Sequence, residues 1–370
     1  LGRYMRLDSA AAEAVNLLPK PDHPSQYGSL VGVLNRCKTK MGERVLQRCL
    51  RQPLMDPKEV NFRHDFVGLL KDDSALRSSL VEQALKGLPD MDVVIGRLQR
   101  GRAGLAEVYR LYSLTSILPA LQSAVCDLSA AASNSSNSSS SSSSCSGDSA
   151  PFVKYLQEHF VAPLENLAGK FDLYRKFVEF VVDMDELPAL LVSDRHDETL
   201  KELKDERRSI NGDAERMLED ARCGWASFCD VKLERHSAHG LVFRCANSND
   251  ERDLRAANKD VEILSLQKSG VLFSTRRLSA LGARLRQLEG EYEEAQAEIV
   301  NKAVETARTY VGVAEALSAV IAELDMLASF ATVAALSPFP YVRPVMRAKG
   351  AGVYKIKAAR HPCVELMDAV

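Results

Sequence analysis

"VKLERHSAHGLVFRC" occupies residues 231–245 and breaks the rhythm of the sequence around it. Its apolar residues fall two apart, Val231 and Leu233 and then Leu241, Phe243 and Cys245, on either side of His239-Gly240. That is the period of a half-buried strand. On both flanks the period is helical. Leu200, Leu203, Arg207, Ile210, Ala214, Met217 and Ala221 alternate three and four apart, and so do Leu278, Leu281, Leu285, Leu288, Tyr292, Ala295 and Ile299. Each flank therefore predicts a heptad seam, and at ~1.5 Å per residue the arms extend roughly 35 to 45 Å. The strand pattern continues to Ser274: "VEILSLQ" (261–267) alternates, and "LQKSGVLF" (266–273) places Lys268-Ser269-Gly270 at a hairpin turn. Two arms separated by a small meander predict an antiparallel helix pair that leaves a body and returns to it, with the sheet as its head. The fold class that follows is mainly α, a multi-helix body with long antiparallel arms interrupted by a small antiparallel β domain.

The rest of the chain agrees with that class. From Tyr4 to about Tyr112 the pattern is helical, punctuated at Pro19-Lys20-Pro21, Gly28, Pro53, Pro57 and Pro89. Asp56 precedes Pro57 and so caps a helix that opens on the proline. The serine-rich stretch 129–150 cannot bury apolar surface and is expected to be a disordered loop. Helical periodicity resumes at Phe152 and runs, with breaks at Pro163 and Pro188, to about Arg222. The segments "KELKDERR" (201–208) and "RQLEGEYEEAQAE" (286–298) read as solvated helix faces. The chain starts inside a helical pattern and stops soon after a new strand-like one, which reads as an excerpt of something longer.

Composition limits the function classes. Apolar residues make up 46%, charged residues 26%, and the net charge is -2, so contact with nucleic acid must come from a local patch. Eight cysteines without a CxxC pair suit a reducing, intracellular compartment. No apolar run is expected to reach the ~20 residues that cross a bilayer, and no membrane partner is expected. No GxxxxGK[ST] loop, GxSxG elbow or HExxH helix occurs, so neither a catalytic residue nor a cofactor site is expected in this chain.

The strand region does carry basic residues: Lys232, Arg235, Arg244, Arg252, Arg255, Lys259, Lys268, Arg276 and Arg277. Phosphate contact needs only a few such side chains facing one way, and Gly270 would let backbone approach a phosphate closely. The competing reading is that they protect strand edges. His236 and His239 with Cys229 and Cys245 match no zinc spacing, and no metal site is expected.

Five segments, in order, carry a resemblance. "VLNRCKTKMGERVLQRCLRQPLMDPKEVNFRHDFV" (33–67) contains a Thr-x-x-Gly-x-Arg pattern before a Pro-Leu-x-Asp element, and it is followed by "LPDMDVVIGRLQR" (88–100), "LDMLASFA" (324–331), "YVRP" (341–344) and "ARHPCVE" (359–365). Together they resemble the MutS family of DNA mismatch-repair proteins. "VVDMDELP" (181–188), "LQKSGVLFST" (266–275) and "EYEEAQAEIV" (291–300) resemble its eukaryotic homologue 2 branch. The resemblance implies a core and lever domain at 1–198 with the serine-rich insertion 129–150, a clamp domain at 199–277, returning lever helices at 278–336, and the start of an ATPase domain at 337–370.

It further implies non-specific clamping of duplex or mismatched DNA through Lys232, Arg235, Arg244, Lys268, Ser269, Gly270, Arg276 and Arg277. ATP and Mg would act in the longer protein, with a second MutS homologue subunit, a MutL-type partner and the nucleus as its setting. Two departures stand out. Gly-Tyr-Tyr is replaced by Gly240-Leu241-Val242, and an aromatic before the Pro-Leu element is replaced by Cys49. From the residues alone, a protein-binding scaffold with a coiled-coil arm stays open, as does a recombination-type homologue that holds DNA junctions.

Overall fold

The computed structural model describes residues 4–19, 28–135, 149–184, 192–193, 198–224, 226, 229–236, 240–246, 251–267, 270–347 and 354–367. Its helices in chain order are α1 (Ser9–Ala14), α2 (Leu30–Leu34), α3 (Lys40–Arg51), α4 (Pro57–Asp72), α5 (Ser74–Ser78), α6 (Met91–Gln99), α7 (Leu105–Ser135), α8 (Ser149–Leu156), α9 (Ala162–Val181), α10 (Glu198–Cys223), α11 (Glu251–Ala257), α12 (Arg276–Thr309), α13 (Val311–Leu336) and α14 (Pro362–Met367). The strands are β1 (Val231–His236), β2 (Gly240–Cys245), β3 (Val261–Gln267) and β4 (Gly270–Thr275). The fold is mainly α with one small antiparallel sheet, as the periodicities predict. The chain divides into two compact units, Leu1–Val178 with Val304–Val370, and Glu179–Ala303.

In the first unit α13 is the central helix, packed on α3, α4 and α6. Its Asp325, 1% exposed, explains the Thr-x-x-Gly-x-Arg pattern. The carboxylate accepts from the backbone N–H of Lys38 (2.9 Å) and Thr39 (2.8 Å) and from Thr39 Oγ1 (2.7 Å). Thr39 in turn caps α3, its Oγ1 accepting from Gly42 N at 3.0 Å. Burial pushes the Asp325 carboxyl above the usual aspartate range, against the pull of these hydrogen bonds. One turn on, Arg44 Nη2 meets Asp90 Oδ1 at 2.5 Å and Arg44 Nε donates to Asp92 Oδ2 at 2.9 Å, tying α3 to the start of α6. Ser318 Oγ, on α13, reaches the same Asp92 at 3.3 Å. Arg343 of "YVRP" pairs with Asp65 on α4. The half-buried Cys49 Sγ accepts from Arg63 Nη1 at 2.8 Å.

The Arg44 guanidinium holds the Asp90 carboxyl below its ordinary value of 3.8. A depressed carboxylate adds stability above its unfolded pKa, and that stability is lost as pH falls through the folded one. Asp90→Asn should therefore flatten the acid limb of the unfolding midpoint below about pH 4, read by thermal melts at stepped pH.

Two expectations need correction here. α7 continues through Ser129 to Ser135, and α8 begins at Ser149, so both ends of the serine-rich stretch are helical. Ala130, Ala131 and Ala132 are strong helix formers, and Leu128 and Ala132 are buried, which outweighs the serines. Residues 136–148 lie outside the described residues. Second, helices 105–134 and 311–336 are long and apolar enough to cross a membrane by length and composition. Scattered polar residues interrupt any continuous apolar run in them, which hides this in the sequence. Twelve positions of α13 are buried against its neighbours.

In the second unit the predicted seams hold. Leu200, Ile210, Ala214 and Ala221 of α10 and Leu278, Leu285, Leu288 and Tyr292 of α12 are buried. Arg284 Nε and Nη2 grip Glu206 at 2.7 and 2.9 Å between the two helices. At ~1.5 Å per residue α10 is about 39 Å long and α12 about 51 Å. The sheet, however, is no simple meander. Its order is β1-β2-β4-β3, all antiparallel, because α11 carries the chain across to the far edge before β4 returns between β2 and β3. The strand pattern gives no sign of α11, whose Leu254 is fully buried in the unit's core.

Candidate nucleic-acid interface

Strand parity decides which basic residues share a surface. Val231, Leu233, Leu241, Phe243, Cys245, Val271 and Phe273 belong to one apolar cluster with Ile210, Ala214 and Ala221 of α10 and Leu278, Leu285 and Leu288 of α12. Phe243 and Phe273 stand opposite in register with ring centroids 5.7 Å apart. Alternate residues therefore face away from the helices, and Lys232, Glu234 and Arg244 are among them. Leu241 and Val242, which replace two tyrosines of the family pattern, are both buried.

Lys232 and Arg244 are direct partners across β1 and β2. Like charges opposite one another are unfavourable. Arg244 Nη1 is 3.3 Å from Glu234 Oε1, and Lys232 Nζ is 3.8 Å from Asp230 Oδ2, pairs exposed enough to be weak. Arg235 differs: it points to the helix side, where Nη1 donates to Glu289 Oε1 of α12 at 2.8 Å. It ties sheet to arm. Gly270 has φ +132°, and a Cβ there would lie 2.1 Å from the Cys245 carbonyl oxygen. The neighbouring strand alone accounts for this glycine, with no phosphate needed. Gly270→Ala should destabilise the unit by about 2 to 4 kcal/mol, measured as a shift of its denaturant midpoint. Lys268, Ser269 and His239 lie outside the described residues.

Arg276 and Arg277 form the first turn of α12, a 34-residue helix with no acidic residue in that turn. Thr275 Oγ1 accepts from Leu278 N at 3.3 Å and so caps it. Both arginines are exposed, and among the described residues neither has an ion-pair or hydrogen-bond partner. Two cations at the positive end of a helix repel the helix dipole as well as each other. An anion there would relieve both.

The register separates these groups. Arg244 pairs with Leu272 of β4, and Arg276 follows four residues later, just past the end of that strand, about 13 Å along at ~3.3 Å per residue. The predicted set thus occupies two ends of one sheet: Lys232 and Arg244 toward the Gln267–Gly270 hairpin, Arg276 and Arg277 toward Gly240. Arg286 joins the second end, its guanidinium being 3.5 Å from where a Gly240 Cβ would stand. Sequence reading missed it inside a charged arm, because its place beside Gly240 is a tertiary contact. Among the described residues no group of three or more His, Cys, Asp and Glu side chains is placed to hold a metal ion.

The sequence model of MutS domain III matches residues 10–331. The chain belongs to the MutS family. Among relatives of this MutS-family chain, the DNA mismatch repair protein msh-2 of Neurospora crassa is 32% identical over 380 residues, covering 100% of this chain and 38% of the relative. The DNA mismatch repair protein MSH2 of Arabidopsis thaliana is 30% identical, again over 100% of this chain and 38% of the relative. The bacterial DNA mismatch repair protein MutS of Macrococcus caseolyticus is 26% identical over 98% of this chain and 39% of its own length. The expected resemblance to the homologue 2 branch is matched by these higher identities. The MutS-family chain spans about 38% of the length of the eukaryotic relatives it matches.

Proposed function

We propose that this chain is the lever and clamp region of a MutS-family mismatch-repair protein, and that its sheet unit grips the phosphate backbone of duplex DNA without reading sequence. The observation that carries the reading is the pair Arg276-Arg277, exposed at the positive end of α12 and partnerless among the described residues. Lys232 and Arg244, like charges held opposite one another, supply a second phosphate contact on the same sheet. In the domain assignment, residues 199–277 are the clamp, 1–198 and 278–336 the lever, and 337–370 the opening of an ATPase domain.

The longer protein would bind ATP with Mg, pair with a second MutS homologue, engage a MutL-type protein and act in the nucleus. In this reading nucleotide chemistry is assigned to none of the described residues. Their part is mechanical: the lever helices link DNA contact to a remote nucleotide site as a coupling free energy between two sites.

The test is charge reversal at Arg276 and Arg277 in the natural-length protein with its partner subunit, followed by duplex binding at two salt concentrations. Weakened binding with a flatter salt dependence supports the reading. Unchanged affinity and salt dependence remove these residues from the site, and absence of any salt-dependent duplex binding favours the protein-binding scaffold.

A further inference from the structure

The two arms are held together in different ways along their length. Toward the sheet they share the apolar cluster, which runs to Leu203 on α10 and Leu288 on α12. Beyond it the seam is mixed: Leu200 and Tyr292 are buried, Ala295 and Ile299 only half-buried, and Gln296 Oε1 is buried with no hydrogen-bond partner among the described residues. Polar contacts join it there. Asp183, just after α9, is buried and paired with the buried Lys204 of α10. Val192 offers its carbonyl to Tyr292 Oη of α12 at 2.9 Å. Val182 and Val192 bridge each other, and Ser193 N donates to Val181 O at 2.8 Å, so the groups reaching α10 and α12 are themselves joined.

We propose that Asp183 and Val192 form a clasp that fastens α10 to α12 at the limit of their shared apolar cluster, with a contact to each helix. A buried ion pair adds little net stability over an apolar pair of similar volume, because both charges are desolvated. Its effect is to fix which groups meet. Tyr292 contributes an oriented hydrogen bond from an otherwise apolar ring. The clasp makes protection of this end of the arm pair depend on oriented polar contacts as well as on apolar packing. The inference stands independently of DNA contact.

Amide hydrogen exchange of the full protein tests it with two variants. Asp183→Asn removes the counter-charge of the buried Lys204, and Tyr292→Phe removes only the hydroxyl. The clasp predicts at least tenfold faster exchange of 198–207 and 292–300 in Asp183→Asn, with 278–288 unchanged. Tyr292→Phe should show the same local pattern at roughly fivefold, the worth of one hydrogen bond. Wild-type exchange in both variants would overturn the proposal, as would an equal loss along both helices in Tyr292→Phe.

Discussion

Gly42→Ala should cost the first unit about 3 kcal/mol and lower its melting temperature by roughly 10 °C. A Cβ at residue 42 would stand 2.3 Å from Asp325 Oδ2 and 2.8 Å from Asp325 Cβ and Cγ. The carboxylate has nowhere to go without leaving Lys38 N, Thr39 N and Thr39 Oγ1. Asp325→Ala should cost about 3 to 5 kcal/mol for the complementary reason, since it strands three donors, two of them buried on Thr39. The two effects must be strongly non-additive. In an Asp325→Ala background the carboxylate atoms at 2.3 and 2.8 Å are gone while the Cβ at 2.8 Å remains, so Gly42→Ala should then cost clearly less than in the wild type, about 1 to 2 kcal/mol. Denaturant titration of the four proteins in that cycle measures the coupling directly; additive costs would mean that Gly42 and Asp325 act independently.

Charge reversal at Arg276 and Arg277 is expected to lower duplex affinity on the order of 50-fold at ~0.1 M salt, taking each phosphate contact at ~0.9 in log affinity per decade of salt. The slope of log affinity against log salt should become shallower by about 2. Both effects should be the same for any duplex sequence, because phosphate contacts carry no base information. Reversal at Lys232 and Arg244 should act in the same direction, since their present carboxylate partners are exposed and weakly held. Reversal at Arg235 should instead loosen the sheet from α12 through the lost Glu289 contact, and change unfolding more than salt slope.

Much of this was legible in the sequence, and the gaps have physical causes. The seams at 200–221 and 278–299 could be read because burial on a helix imposes a spacing of three and four. The strands could be read because burial on one face imposes a spacing of two, yet the order β1-β2-β4-β3 could not, since pairing is a tertiary choice. For the same reason the basic residues were visible as a set but not as two groups at opposite ends of the sheet. Lys204 shows a different limit. It lies one residue outside the seam and carries a charge, so it reads as solvated, whereas Asp183, 21 residues earlier, allows it to be buried. The Thr39, Gly42 and Arg44 pattern was recognisable, but its cause sits 286 residues away in Asp325.

The most direct measurement of the central claim is the affinity of the natural-length protein, with its partner subunit, for two duplexes of unrelated sequence across a series of salt concentrations. Phosphate clamping predicts log affinity falling linearly with log salt, the same steep slope for both sequences, and a shallower one after reversal of Arg276 and Arg277. A flat dependence on salt, or a slope that survives those substitutions unchanged, would contradict it.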